Sequence, residues 1–242
     1  MNRLRYTIPN SFTALSLVLG VTSIVTTQVG ELELAAWIIV WCALIDMLDG
    51  VSARLLKATS DFGAEFDSMA DLVSFGVAPA MLVLNAGIQI GGATPGVDQF
   101  WVLVVAVAVF ALAGAMRLAR FNLLSDQPST GWFAGIPITA AGGGMVPAVV
   151  LVLIHNPDLA ASLPLRLYLP VLMFVLALLM ISRLRFPKAA VRDRLSVNLL
   201  QGAILASLAF CGITRSYPEF LLGMGIFILI AGVIAGRVTR PA

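Results

Sequence analysis

The sequence predicts an all-α fold, a polytopic transmembrane helical bundle, and three observations support that prediction. First, 60% of the 242 residues are hydrophobic and the mean hydropathy is +0.98, which exceeds what a water-soluble domain of this size can bury. Second, apolar segments near the roughly 17–25 residues needed to cross a hydrocarbon core recur along the chain. Third, the basic residues lie almost entirely in alternate loops between these segments, as in membrane proteins with a fixed orientation.

We predict about eight membrane spans from the apolar segments. They lie at residues 11–29, 33–53, 68–90, 100–121, 137–155, 168–183, 198–213 and 218–236. The sixth and seventh are short, so each is tilted, longer than drawn or re-entrant, and six or seven spans are the alternatives. No long polar linker divides the chain, so residues 1–242 are expected to form a single membrane domain. The first segment continues to about Gly30 without a clear cleavage site, which favours a retained span over a signal peptide.

The distribution of lysine and arginine predicts the orientation of the bundle. With a cytoplasmic N-terminus, all of the 15 basic residues except Arg166 and Arg215 fall in cytoplasmic loops or at cytoplasmic ends. We therefore expect an even number of spans, both termini in the cytoplasm, and insertion in the cell (cytoplasmic) membrane. The net charge of only +2 and the lack of a long basic run indicate no nucleic-acid partner.

Four aspartates stand out in the segment DMLDGVSARLLKATSDFGAEFDSMAD, which joins the second span to the third. Asp46 and Asp49 are three residues apart, and Asp67 and Asp71 are four apart, so each pair projects from one face of its helix. A carboxylate near the centre of a bilayer costs at least roughly 2.5–3.5 kcal/mol on insertion scales. We expect a short cytoplasmic turn containing Ser60 and Gly63 to bring all four together at the cytoplasmic side.

Carboxylate clusters without histidine or cysteine favour hard cations such as Mg²⁺, Mn²⁺ or Ca²⁺ over zinc. Two such ions about 3.5–4 Å apart would hold both the attacking and the leaving oxygen of a phosphoryl-type displacement. Arg54 adds a positive charge suited to phosphate oxygens. The alternative for Asp61 and Asp67 is that they cap helix starts.

The spacing of eight residues in this segment matches the signature of the CDP-alcohol phosphotransferase family at every specified position. These residues are Asp46, Asp49, Gly50, Ala53, Arg54, Gly63, Asp67 and Asp71. Five further stretches resemble the branch of that family that transfers to serine. They are IPNSFT at 8–13, DLVSFGVAPA at 71–80, RLARFN at 117–122, FAGIPITAAGG at 133–143 and ISRLRFPK at 181–188.

The resemblance implies a six-helix family core plus two spans, a polar cavity open to the cytoplasm, and a homodimer among membrane lipids. The implied substrates are CDP-diacylglycerol and L-serine, with two divalent cations, Mg²⁺ or Mn²⁺, as cofactors. Carried over by position, Asp46, Asp49 and Asp67 would bind the first cation, while Asp71 would help bind the second and act as general base. The positions implied for the CDP-lipid are Asn10, Thr13, Gly50, Ala53, Arg54, Ser60 and Gly63. For Asn10 and Thr13, a helix cap and a helix-facing hydroxyl are the alternatives.

The candidates for binding the acceptor or a lipid phosphate are Arg117, Arg120 and Asn122. The alternative for the arginines is that they extend to lipid head groups, as arginines at helix ends often do. The same alternatives apply to Arg183, Arg185 and Lys188. Glycerol 3-phosphate or an inositol phosphate remains a rival to serine, because the signature does not separate acceptors. A cation transporter would need acidic residues on several spans, yet the predicted spans five to eight contain only Glu219, at an edge. A membrane scaffold would leave the aspartates unexplained.

Overall fold

The computed structural model describes residues 4–56, 60–123, 132–187 and 195–238, and these residues are mostly helical. In chain order the helices are α1 (Leu4–Gln28), α2 (Leu32–Leu56), α3 (Asp61–Asp71), α4 (Ala78–Gln89), α5 (Asp98–Leu123), α6 (Val146–His155), α7 (Pro157–Ser162), α8 (Leu165–Ile181), α9 (Leu195–Thr214) and α10 (Pro218–Val238). A helix covers most of each of the eight apolar segments identified in the sequence. The predicted helical bundle is therefore confirmed for the described residues.

Length and composition identify which helices can cross a membrane. Within the described residues, three stretches are both long and apolar enough, namely Asn10–Gln28, Asp61–Gln89 and Asp98–Leu123. Shorter apolar helices occupy Thr139–His155, Leu165–Ile181 and Pro218–Ile234. The chain is a helical membrane protein, whereas the count of eight spans and the cytoplasmic location of both termini stay predictions.

Helix α6 forms the centre of the bundle. All eight residues from Val146 to Leu153 are buried, and the helix packs against α2, α4 and α10. A helix that is apolar on every side can be accommodated only where other helices or lipid surround it. The other helices of the core are therefore arranged around α6.

Hydrogen bonds between helices join α1 to its neighbours. The Ser23 hydroxyl donates to the Ala35 carbonyl on α2 at 2.9 Å, and the Ser74 hydroxyl donates to the Ser16 carbonyl at 3.0 Å. Such bonds contribute on average about 0.6 kcal/mol each between membrane helices. They fix α1 beside α2, the helix that carries Asp46.

Two wide helical turns of π type lie next to each other in the core. One, Leu72–Val77, connects α3 directly to α4; the other, Thr139–Met145, leads into α6. Each turn shifts the phase of the residues that follow, and π turns often occur at functional sites. The sequence did not predict them, because both segments look like ordinary apolar helix.

The structure also contains two short β-strands, which the all-α prediction did not include. β1 (Trp132–Ala134) pairs antiparallel with β2 (Arg185–Pro187), and Phe133 lies opposite Phe186. Phe186 is buried and packs against Gly232 of α10. Three-residue strands have too little periodicity to be recognised in sequence. Here β2 packs against α10 shortly after the end of α8.

Large apolar side chains cover the outward faces of the helices. The exposed ones include Leu15, Val18 and Val25 on α1, Trp101, Val105 and Leu112 on α5, Leu167, Val171 and Leu178 on α8, and Phe227 and Ile230 on α10. An apolar exterior of this extent suits lipid rather than water. It agrees with the membrane location inferred from composition.

We predict that Gly142→Ala destabilises the protein by about 3 kcal/mol. Gly142 lies against the backbone carbonyl of Phe75, where the two π turns meet, so an added methyl group would overlap the Phe75 backbone. The matched control is Gly144→Ala, two residues away, because among the described residues no atom beyond its own helical turn lies within 4 Å of the added methyl group. Thermal unfolding in detergent measures both, and equal melting temperatures would contradict the close packing at Gly142.

Candidate active site

Three of the four aspartates meet between α2 and α3. Asp46 on α2 and Asp67 and Asp71 on α3 each present a carboxylate oxygen, and these oxygens all lie within 4.8 Å of one another. Each side chain is half-buried, and Asp46 is within hydrogen-bonding distance of Asp71. Like charges this close repel strongly in a medium of low dielectric constant, so a nearby positive charge stabilises the cluster.

The local sequence explains why α3 turns back toward α2. Ser60 has an extended backbone, with φ of −143°, and its hydroxyl accepts a hydrogen bond from the Gly63 amide at 3.0 Å. A serine cap of this kind stabilises a helix start by about 1 kcal/mol. Gly63 therefore lies in the first turn of α3, which corrects the prediction that it belongs to the preceding turn.

Asn10 lies beside Ser60 and Gly63 at the start of α3, although it is about 50 residues away from them in sequence. A side-chain carbon at Gly63 would lie 3.1 Å from the Ser60 hydroxyl oxygen and 3.2 Å from the Asn10 side-chain oxygen. Glycine at this position therefore lets α1 approach α3 closely. Thr13, one turn beyond Asn10, is 3% exposed and belongs to the buried face of α1.

The two arginines at the end of α5 have different surroundings. Arg117 faces the cluster and interacts electrostatically with Asp71. Arg120 points away, and its guanidinium donates to the carbonyl of Ile181, the last residue of α8, at 3.5 Å. Arg117 is therefore the cation near the carboxylates, while Arg120 contacts the carboxyl end of a neighbouring helix, where positive charge is favourable.

Asn122 connects α5 to α3. Its side-chain amide donates to the Ser68 hydroxyl at 3.1 Å and to a Glu65 carboxylate oxygen at 3.4 Å. The Ser68 hydroxyl in turn lies 3.2 Å from the Asn122 carbonyl oxygen and 3.0 Å from the Ala64 carbonyl. We call Glu65, Ser68 and Asn122 the α3–α5 clasp.

The sequence analysis missed Glu65 and Ser68, although both lie within the aspartate segment. Neither belongs to the family signature, and a serine or glutamate near a helix end usually faces water. Ser68 lies between Asp67 and Asp71 on a helix that must face α5, and this position is the sequence signal that identifies it. The distance to Asn122, 54 residues away along the chain, concealed the partner.

Some predicted site residues lie outside what the structure describes. These are the side chains of Asp49, Ala53, Arg54 and Arg185 and the whole of Lys188. Of the remaining predicted residues, Gly50 is exposed on α2 with open space beside it, and Arg183 is exposed after α8. Their roles stay predictions.

An open groove of about 600 Å³ lies away from the aspartates, between α9 and α10. It is lined by Ala206, Ser207, Phe210, Cys211, Tyr217 and Phe220. No carboxylate lines it, so it offers none of the chemistry of the aspartate cluster. The aspartates therefore remain the candidate active site.

The donor set of the cluster fits a hard divalent cation. All the ligand atoms offered are carboxylate oxygens, which Mg²⁺, Mn²⁺ and Ca²⁺ prefer, and a group of three oxygens within 4.8 Å is compact enough to surround one ion. A cation there would offset the mutual repulsion that Arg117 by itself offsets only in part. The helical membrane fold and this cluster define the class, a membrane protein with a candidate site for divalent cations.

Comparison with known proteins identifies the family. Residues 6–182 match the family model described as CDP-alcohol phosphatidyltransferase. The chain is 36% identical over 232 residues to a CDP-diacylglycerol–serine O-phosphatidyltransferase of Helicobacter pylori, covering 95% of this chain and 90% of the relative. It is 33% identical over 228 residues to the protein of that name from Methanocaldococcus jannaschii, with 94% and 93% covered. The chain therefore belongs to the CDP-alcohol phosphatidyltransferase family, whose members are generally dependent on divalent metals.

We predict that Arg117→Met lowers the free energy of unfolding by about 2 kcal/mol, because it removes the cation beside half-buried carboxylates. Arg120→Met, the matched control on the same helix, should cost less than about 1 kcal/mol, because it removes one long hydrogen bond. Thermal unfolding in detergent compares them. Adding Mn²⁺ should reduce the loss of stability in Arg117→Met but not in Arg120→Met. An equal loss of stability in both variants would contradict the assignment of Arg117 to the cluster.

Proposed function

We propose that this protein transfers a phosphatidyl group from CDP-diacylglycerol to L-serine, yielding phosphatidylserine and CMP. The observation that carries the proposal is the meeting of Asp46, Asp67 and Asp71 within 4.8 Å. The names of the relatives, which share 31–36% identity with this chain over most of its length, support serine as the acceptor. The alternative is another acceptor of the same family, glycerol 3-phosphate or an inositol phosphate.

The proposed reaction is a displacement at the phosphorus that carries diacylglycerol. The serine hydroxyl oxygen forms a new bond to this phosphorus, the bond from phosphorus to the CMP oxygen breaks, and CMP leaves with the electron pair. Serine's hydroxyl is a poor nucleophile, so a base must accept its proton. We assign that role to Asp71, which lies at the end of α3 and beside Asp46.

We propose that Asp46, Asp49 and Asp67 hold one divalent cation and that Asp71 helps to hold a second, Mg²⁺ or Mn²⁺ in each case. Cations bound there would stabilise the negative charge that develops on the phosphate oxygens and would help to activate the hydroxyl. The protein's own contribution is to fix the carboxylates before substrate arrives, since preorganised charges need not reorganise during the reaction.

Recognition of anionic groups is assigned to Arg117 rather than Arg120. Arg117 faces Asp71, whereas the Arg120 guanidinium already donates to the Ile181 carbonyl. A guanidinium can bind a carboxylate or a phosphate through two parallel hydrogen bonds. We propose that Arg117 binds the carboxylate of serine or the phosphate of the donor.

We assign binding of the CDP moiety to residues at the start of α3. Asn10, Ser60 and Gly63 come together there, and Gly50, with open space beside it, would let the nucleotide approach the backbone of α2. Thr13, Ala53 and Arg54 complete this proposed set. The site would face the cytoplasm of the cell membrane, and a homodimer, which the family resemblance implies, stays a prediction.

The first test is CMP release from CDP-diacylglycerol by the protein purified in detergent with Mn²⁺ or Mg²⁺. Serine, glycerol 3-phosphate and inositol 1-phosphate are offered in separate reactions. We expect release with serine alone, formation of an amino-lipid, and loss of both on addition of EDTA. Release with another acceptor alone would overturn the serine assignment, and no release with any acceptor would overturn the proposed reaction.

Asp71→Asn should lower kcat by about 10³-fold, because a positioned general base typically contributes 10²–10⁴-fold. Binding of the CDP-lipid should be largely retained. The measurement is the protection that added CDP gives this variant against thermal unfolding. Asp49→Asn should instead lose that protection. The control is Asp98→Asn, at the exposed start of α5, and near-normal turnover of Asp71→Asn would exclude Asp71 as the base.

The proposed orientation predicts which engineered cysteines react from outside intact cells. Gly96→Cys, in the loop before α5, should be labelled by a membrane-impermeant maleimide, because it has open space and lies in a predicted outer loop. Leu123→Cys, 83% exposed at the other end of α5, should react only after permeabilisation. The unsubstituted chain is the control, since Cys42 and Cys211 are buried; the reverse pattern would invert the orientation.

A further inference from the structure

We propose that Asn122 is a positioning residue, which holds α3 in the rotation that aims the carboxylates of Asp67 and Asp71 at the cation site. This inference rests on the proposed function in one respect only, that the aspartate cluster binds divalent cations. The observation behind it is the α3–α5 clasp, in which Asn122 bonds to Ser68 and Glu65. Asn122 would thus act through α3, without touching substrate.

The clasp matters because α3 has little other support on this side. Its packing is mainly against α1, and its direct contact with α5 is slight. The serine cap holds the start of α3, and the π turn Leu72–Val77 continues from its end. Between these two points, the bond from Asn122 to Ser68 connects α3 to α5, the helix that carries Arg117.

Two interactions at different depths fix the rotation of a helix better than either one by itself. Asp71 interacts with Arg117 deeper in the bundle, and Ser68 bonds to Asn122 closer to the end of α5. Ser68 precedes Asp71 by three residues, about 4.5 Å along the helix axis. A rotation of α3 that breaks the clasp would therefore also carry Asp71 away from Arg117 and Asp46.

The chemistry of the clasp suits a positional role. The Asn122 amide nitrogen donates to the Ser68 hydroxyl, and the Asn122 carbonyl oxygen lies 3.2 Å from the same hydroxyl. Because the Glu65 carboxylate can only accept, it defines which end of the carboxamide carries the nitrogen. The second amide hydrogen of Asn122 is directed to Glu65, which keeps this carboxylate within the clasp rather than at the cation site. Partners that orient metal ligands typically contribute 10–100-fold to metal affinity or activity.

The test is the affinity of the purified protein for Mn²⁺, followed by the electron paramagnetic resonance signal of the free ion. We expect Asn122→Ala and Ser68→Ala each to weaken Mn²⁺ binding by about 10-fold. The double variant should be no weaker than either single variant, because both remove the same connection. Ser68→Thr keeps the hydroxyl and should retain wild-type affinity. Alanine favours helix, so Ser68→Ala keeps the test available even where Asn122→Ala folds poorly.

The matched control is Asn156→Ala. Asn156 connects α6 to Glu219 of α10 through a 2.9 Å hydrogen bond, so its loss should lower the melting temperature without changing Mn²⁺ affinity. Mn²⁺ affinities of Asn122→Ala and Ser68→Ala within twofold of wild type would overturn the inference. So would an equal loss in Asn156→Ala, which would indicate a general effect of stability.

CMP release in the same preparations separates the inference from the proposed function. Weaker Mn²⁺ binding in the clasp variants, with no CMP release from wild type and serine, would sustain the clasp and overturn the reaction. Normal Mn²⁺ binding in the variants, with serine-dependent CMP release from wild type, would sustain the reaction and overturn the clasp. With both intact, the Mn²⁺ concentration for half-maximal turnover should rise about 10-fold in Ser68→Ala, while kcat of this variant at saturating Mn²⁺ stays within about twofold.

Discussion

Close carboxylates inside an apolar bundle are the constraint on which the rest of this structure depends. Asp46, Asp67 and Asp71 approach within 4.8 Å of one another in a setting where water solvates them poorly, so their repulsion tends to separate α2 from α3. Arg117 offsets part of this repulsion electrostatically, while the serine cap stabilises the start of α3 and the α3–α5 clasp connects α3 to α5. A divalent cation would complete the balance, which links the stability of this end of the molecule to its proposed chemistry.

Close backbone packing supplies the rigidity that such a site needs. The contact between Gly142 and Phe75 joins two π turns, and the first of these turns begins immediately after Asp71. Helix α6 continues from the second turn into the buried centre of the bundle. Asp71 is therefore only one residue from a closely packed segment, which suits the role of general base that we propose for it.

Polar side chains of helix α2 meet neighbouring helices at two levels. Near its start, Glu33 lies 3.1 Å from His155 of α6, and Asn156 next to it bonds to Glu219 of α10. About 20 Å further along α2, at 1.5 Å per residue, Asp46 joins the aspartate cluster. Near its start, α2 contacts α6, which in turn bonds to α10. Further along, α2 contributes Asp46 to the carboxylate cluster.

The sequence by itself determined the helical membrane fold, the approximate helix positions and the placement of Asp67 and Asp71 on one helix face, because hydropathy and helical periodicity are local properties. It also indicated the family, through residues such as Asp46, Gly50 and Asp71 at fixed spacing. Only the tertiary structure decided which arginine faces the cluster, that Gly63 belongs to α3, and that Ser68 meets Asn122. These features depend on how helices distant in sequence rotate and approach each other, and on π turns that shift their phase, and no local pattern records either.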